Sequence, residues 1–97
     1  MPFEIVLAPE AVEDLKRLRS NVRAAVWDAL DTHLRHEPAK ISKSRIKRLR
    51  GLTRPQYRLR IEDVRLFYDI VDNTVEVLAI VSKSEAEAWL AQFGSRE

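Results

Sequence analysis

The spacing of apolar residues changes character several times along this chain, and each change marks an element. Phe3–Ala8 alternates, with Phe3, Ile5 and Leu7 set against Glu4 and Val6, and reads as a short strand. Pro9 suits the first turn of a helix, and Glu10, Glu13 and Asp14 favour its positive end. Val12, Leu15 and Leu18 give that helix one apolar edge. Ser20-Asn21 breaks it, with Asn21 placed to cap a second helix in which Val22, Val26, Leu30 and Leu34 recur every fourth residue. Pro38 requires that helix to have ended, so the pair forms an αα-hairpin.

Beyond Pro38 the period falls to two. Residues 39–55 are polar and basic, punctuated by Gly51 and Pro55, and Arg45–Arg50 reads as a short edge strand. Tyr57–Ile61 and Val64–Val71 flank Glu62-Asp63, a two-residue hairpin turn, and Thr74–Ser82 follows Asp72-Asn73, a second one. Ser84 and Glu87 match a capping box, Ala86, Trp89, Leu90 and Phe93 share a helical face, and Gly94 is the expected C-cap. The predicted class is α+β: one domain over 1–97, ordered β-α-α-β-β-β-β-α. The αα-hairpin packs on one face of a small antiparallel sheet, and a helix closes the chain.

A two-residue turn at Glu62-Asp63 fixes the register. Ile61 faces Val64, Leu59 faces Leu66 and Tyr57 faces Tyr68, which makes an apolar face for the helices to cover. The opposite face then carries Arg60 across from Arg65 and Arg58 across from Phe67. Carried on, the register adds Leu78 and Ile80 to that face, and Asp69 opposite Glu76 farther from the turn. Like charges placed directly opposite are destabilising, so the arrangement implies an anionic ligand. Arginine is the residue suited to forked phosphate contact.

Charge sharpens this picture. Residues 38–61 hold nine Lys or Arg and no acid, so the net +2 divides into +9 there and −7 elsewhere. Lys43, Arg45, Lys47, Arg48, Arg50 and Arg54 are therefore the expected nucleic-acid contacts, though an acidic amphipathic peptide would suit the same surface. Phe67, Leu78 and Ile80 are expected as an exposed apolar floor beside the arginines. No apolar run reaches membrane-spanning length, and the acidic, alternating MPFEIVLAPE is unlike a secretion signal. The absence of cysteine excludes disulfides and thiolate chemistry and fits the cytoplasm. His33 and His36 lack metal-ligand company and sit where a helix end explains them; no metal or cofactor is expected. Trp27, Trp89, Tyr57 and Tyr68 are read as packing residues, and Ser84 as a cap.

The run KRLRGL (47–52), followed by YRLRIEDVRLFYDIVDNTVEVLAIVSKSEA (57–86), resembles the RelE/ParE superfamily of type II toxin–antitoxin toxins, as does EIVLAPEAVEDLKRL (4–18). That resemblance implies a toxin neutralised by a cognate antitoxin, which the basic segment would make acidic. The leading implication is a target in the ribosomal A site, mRNA cut by RelE-like endoribonucleases; the alternatives are DNA gyrase, poisoned by non-enzymatic ParE-like toxins, and RNA bound by a RelE-fold protein without cleavage activity. RelE-like basic residues before the turn fall on Arg58 and Arg60, the arginine after it on Arg65, and the basic residue past the last strand on Lys83. The resemblance thus gives Arg58, Arg60, Arg65 and Lys83 as the catalytic set, with Arg65 the expected central phosphate contact and Lys83 the candidate base. The last helix departs from the pattern. SKSEAEAWL (82–90) has no Tyr, His or Arg, and Trp89 or Leu90 stands where a ring-bearing acid or base is expected.

Overall fold

The computed structural model describes residues 2–97. In chain order it contains β1 (Glu4–Leu7), α1 (Pro9–Arg17), α2 (Ser20–Ala29), β2 (Ile46–Arg48), β3 (Leu52–Arg54), β4 (Tyr57–Ile61), β5 (Val64–Val71), β6 (Thr74–Ser82), α3 (Ala86–Phe93) and β7 (Ser95–Arg96). A π-helical turn, Leu30–Leu34, extends α2, and a 3-10 turn, Lys83–Glu85, leads into α3. The main sheet is ordered β1-β6-β5-β4-β2, antiparallel except that β1 runs parallel to β6. The short strands β3 and β7 pair separately.

Both hairpin turns form where the chain requires them. Glu62 and Asp72 take positive φ of 51° and 55° in the two-residue connections β4–β5 and β5–β6, the backbone such tight hairpins require. The β4–β5 pairs are Tyr57 with Tyr68, Leu59 with Leu66, Arg60 with Arg65 and Ile61 with Val64, as the turn dictates. Leu59, Leu66, Tyr68, Val75 and Val77 form the floor of a core roofed by Ala11, Leu15, Val26, Ala29, Leu30 and Leu34 from the helices. The Tyr68 hydroxyl donates to the Pro38 carbonyl at 2.6 Å, and its ring stacks on Tyr57 with centroids 5.3 Å apart. Burial pushes the Tyr68 hydroxyl pKa well above the usual phenol value, with Tyr57 adding to the shift.

One irregularity re-aims β6. Val77 pairs with Tyr68 but Ala79 pairs with Phe67, so Leu78 is an extra residue. A bulge of this kind reverses the alternation beyond it. Ile80 therefore faces Leu66 and joins the helix-covered core, contrary to its expected place beside the arginines. Past the end of β1, the Ile80 N–H is satisfied by Asp14 Oδ2 of α1 at 3.0 Å.

Several local expectations are also corrected. Ala11 and Leu15 are the buried residues of α1, while Val12 is exposed. Arg19, not Asn21, occupies the N-cap of α2. The Ser84–Glu87 capping box does not form: α3 begins from the 3-10 turn, where Ser82 Oγ donates to Glu85 Oε1 at 2.7 Å. Gly94 does cap α3, donating to the Leu90 carbonyl at 2.9 Å, and a Cβ there would meet that oxygen at 2.6 Å. Trp27 is 46% exposed and is not a core residue.

Candidate functional site

The sheet face turned away from α1 and α2 carries the basic cluster. Lys47 of β2 pairs with Arg58 of β4, Arg60 pairs with Arg65 of β5, and Arg58 pairs with Phe67. Strand alternation places these four basic side chains on one face. The edge strand is anchored by Ile46, buried on the other face against the core. Its entry loop is held by Ser42 Oγ, which accepts from the N–H groups of Arg45 and Ile46 at 3.0 Å.

The three arginines differ in their freedom. Arg65 is 7% exposed, and its Nη1 donates to the carbonyls of Glu62 at 2.8 Å and Val64 at 3.0 Å. Its guanidinium staples the β4–β5 turn, and Arg65, the expected central phosphate contact, is the most buried of the three arginines. Arg60 is exposed. Arg58 is half-buried, and its Nε is a buried donor with no hydrogen-bond partner. Burial, then the charges of Arg65 and Arg60, pull the Arg58 pKa below its ordinary value. Its charge is therefore less well stabilised than that of a free arginine, and a bound anion would offset that. Lys83 is exposed at the end of β6 beside Asp63 and Ser84. Its backbone N–H donates to the Asp63 carbonyl at 2.7 Å.

The other basic residues do not join this cluster as one surface. Arg48 lies 5.2 Å from the Tyr57 ring centroid and donates to the Gln56 carbonyl at 2.8 Å. Arg45 Nη1 is 3.1 Å from His33 Nε2. Burial, then Arg45, lower the His33 pKa, while Asp28 opposes the shift. Lys43 and Arg50 are exposed on loops. Arg54 is held by two carboxylates, its Nε 3.2 Å from Asp69 and its Nη2 2.8 Å from Glu76. Asp69 and Glu76 are cross-strand partners, as the register predicts. Burial raises the Asp69 pKa, against the lowering effects of the Gln56 N–H and Arg54.

The apolar floor is covered. Phe67, Leu78 and Ile80 are 0%, 8% and 3% exposed, which corrects their expected exposure. Ile80 is buried because the bulge turns it into the core, while Phe67 is covered by α3, whose Trp89 ring stacks on it at 5.0 Å with 6° between planes. Phe93, 5.5 Å from Trp89, remains 58% exposed. Together Ala8, Glu10, Arg54, Leu78, Trp89 and Phe93 line a cavity of about 220 Å³. Sequence reasoning missed this groove. Its only linear trace is the i, i+4 spacing of Trp89 and Phe93, which also describes ordinary packing. Among the described residues no group of three or more His, Asp or Glu is placed to hold a metal ion. No helix there is long and apolar enough to cross a membrane.

Comparison with known proteins gives this face a context. A family model described as the ParE toxin of a type II toxin–antitoxin system, parDE, matches residues 5–87. The toxin–antitoxin complex RelBE2 of Mycobacterium tuberculosis contains a chain 27% identical, with TM-score 0.69, aligned over 84% of this chain and 99% of that one. The RelE–RelB complex of Pyrococcus horikoshii gives 22% identity and TM-score 0.71, covering 86% and 97%. The YoeB–YefM complex of Staphylococcus aureus gives 22% and 0.61, covering 81% and 94%. No curated protein sequence matches the chain significantly. The match spans both the arginine strands and the helix pair, and the chain belongs to the ParE toxin family within the RelE/ParE superfamily of type II toxin–antitoxin systems.

Proposed function

We propose that this toxin is a metal-independent endoribonuclease that cuts mRNA on the ribosome and so stops translation in the cytoplasm. The observation that carries this reading is Arg58, which keeps a buried donor unpartnered while facing two further arginines. An unsatisfied buried donor and crowded like charges both cost stability, and a bound phosphate relieves both.

The chemistry asks little else of the protein. With the neighbouring 2′-OH as nucleophile, the site must neutralise the developing phosphorane and manage two protons. Arg58 and Arg60 contact the phosphate, and Arg65 fixes the turn and adds its charge. Lys83 is the candidate proton acceptor, and Lys47 extends the field along the strand before the cut. The ribosome supplies the alignment of the 2′-OH. Lys43, Arg45 and Arg50 contribute long-range attraction to RNA, whereas Arg48 and Arg54 are engaged elsewhere.

The similar RelE, RelBE2 and YoeB toxins are found in complex with antitoxins. By extension, a cognate acidic antitoxin covers the basic segment 40–60 and neutralises this toxin. Two observations favour a second reading. The matching family model is that of ParE, and Trp89 packs on Phe67 where an acid–base ring would be needed for cleavage. On that reading the target is DNA gyrase and the arginine face binds protein or DNA. Induced expression separates the two. Rapid loss of protein synthesis with mRNA cut inside codons supports cleavage; arrest of DNA replication with intact mRNA overturns it.

A further inference from the structure

We infer that the hollow between the π-helical end of α2 and the loop entering β2 is a separate anion site, which takes a phosphate group and binds it with uptake of a solvent proton on His33. Its polar lining is Thr32, His33, Glu37, Lys40, Ser42 and Arg45, around a volume of about 200 Å³. None of Arg58, Arg60 and Arg65 lines it. The helix widens where it meets the hollow, the Arg35 N–H reaching the Leu30 carbonyl at 3.0 Å. Wide turns of this kind recur at functional sites.

Two side chains meet there head to head. Arg45 Nη1 stands 3.1 Å from His33 Nε2. A guanidinium only donates, so Nε2 accepts and the ring is neutral. A proton on Nε2 would set an imidazolium against a guanidinium with no acceptor between them. A phosphate oxygen placed between the two supplies that acceptor and makes two charge-assisted hydrogen bonds. Burial, then Arg45, hold the His33 pKa below its ordinary value, with Asp28 opposing, and a bound anion acts in the direction of Asp28.

The remaining lining adds donors. Ser42 Oγ accepts from the N–H groups of Arg45 and Ile46, both at 3.0 Å, so its lone pairs are engaged and its O–H is left to donate. The same two bonds fix the backbone that carries Arg45. Lys40 Nζ is 3.7 Å from Glu37, and both side chains are mostly exposed, a contact that holds Lys40 weakly. Among the described residues Glu37 is the one acid in the lining, beside Lys40 and Arg45, which makes a metal cation a poor occupant. A phosphate offers acceptors to Arg45, His33, Ser42 and Lys40 together, more than a peptide carboxylate presents. Arg45 also lines a hollow with Ser44, Arg60 and Glu62, and its carbonyl accepts from the Arg60 N–H at 2.9 Å. The phosphate therefore belongs either to an RNA backbone that continues from Arg60 over the β2 edge or to a free phosphate compound.

The test follows the ring signals of His33 and His36 by NMR in the purified full-length toxin as pH falls, at constant ionic strength. One sample contains inorganic phosphate, a second a 2′-O-methyl oligonucleotide that cannot be cleaved, and a third chloride alone. Phosphate or the oligonucleotide should raise the His33 pKa above its value in chloride and leave His36, outside the lining, in place. A rise at far lower concentration of oligonucleotide than of inorganic phosphate assigns the site to an RNA backbone, and the reverse assigns it to a free phosphate compound. Arg45→Ala should weaken phosphate binding about 10- to 100-fold. His33→Gln should still bind phosphate but lose the tightening at low pH. An unmoved His33 in both samples, equal movement of His33 and His36, or undiminished phosphate binding by Arg45→Ala overturns the inference. A glutamate-rich peptide that raises the His33 pKa where phosphate and oligonucleotide do not would make the hollow a protein site and overturn it as well.

Discussion

The two faces of the central sheet are built from the same strands and obey opposite rules. Beneath α1 and α2, Leu59, Leu66, Tyr68 and Val77 are fully buried and the Tyr68 hydroxyl is paired. Among the described residues, no buried polar side-chain atom on that face lacks a partner. On the other face, Arg58 and Arg60 stand with Arg65, Arg58 Nε has no partner, and Phe93 stays open to solvent. A sheet stabilised for its own sake would not place three arginines together. The first face explains why the chain folds, and the second gathers charge and an unpartnered donor that the fold itself does not use.

That contrast can be broken residue by residue. Leu66→Ala, on the helix-covered face, should cost about 2–5 kcal/mol of stability, since a fully buried leucine leaves a cavity. Denaturant unfolding measures it, and a loss under 1 kcal/mol would mean that this face is not the core. Arg65→Ala should cost about 1–3 kcal/mol, because two turn carbonyls lose their charged donor. An unchanged midpoint would return Arg65 to the role of a free phosphate contact. Tyr68→Phe should cost roughly 1 kcal/mol by leaving the Pro38 carbonyl unpaired, with activity unchanged.

The smallest effect concerns His33. Its pKa lies below the ordinary 6.5, through burial first and Arg45 second, with Asp28 opposing. The folded chain therefore favours the neutral ring. Its contribution to stability is complete above about pH 6.5 and is lost as pH falls through the lowered value. His33→Gln keeps a neutral acceptor for Arg45 and should flatten that part of the pH–stability curve. An equal acid-side loss in the variant would assign the slope to other groups.

Much of the fold was legible in the chain. The turns at Glu62-Asp63 and Asp72-Asn73 fix strand ends and register locally, and the bounds of β4, β5 and β6 follow from them. The i+4 repeat of Val22, Val26, Leu30 and Leu34 likewise describes the helix that roofs the core. What escaped was non-local. The bulge at Leu78 leaves no trace in alternation, because Val77, Leu78, Ala79 and Ile80 are all apolar and fit either phase. The parallel pairing of β1 with β6 joins distant segments that carry no register signal of their own.

The site was legible to the same extent. Hairpin register alone placed Arg58, Arg60 and Arg65 on one face. It could not show that Arg65 turns back onto the carbonyls of Glu62 and Val64, or that Asp69 and Glu76 engage Arg54. Those contacts depend on rotamers and on the placement of β3, a strand outside the main sheet.

The central claim is that Arg58 and Arg60, on the arginine face, are working residues of the toxin and contribute little to its fold. A reconstituted translation reaction programmed with a defined mRNA, treated with wild-type toxin or Arg58→Ala, tests it most directly. Removing a preorganised donor to a developing anion costs about a hundred- to thousandfold in rate. Cleavage within codons should be reduced by that factor in Arg58→Ala, with an unfolding midpoint equal to or above that of the wild type. Wild-type cleavage by the folded variant, or no cleavage by either protein together with inhibition of purified gyrase, would contradict the account.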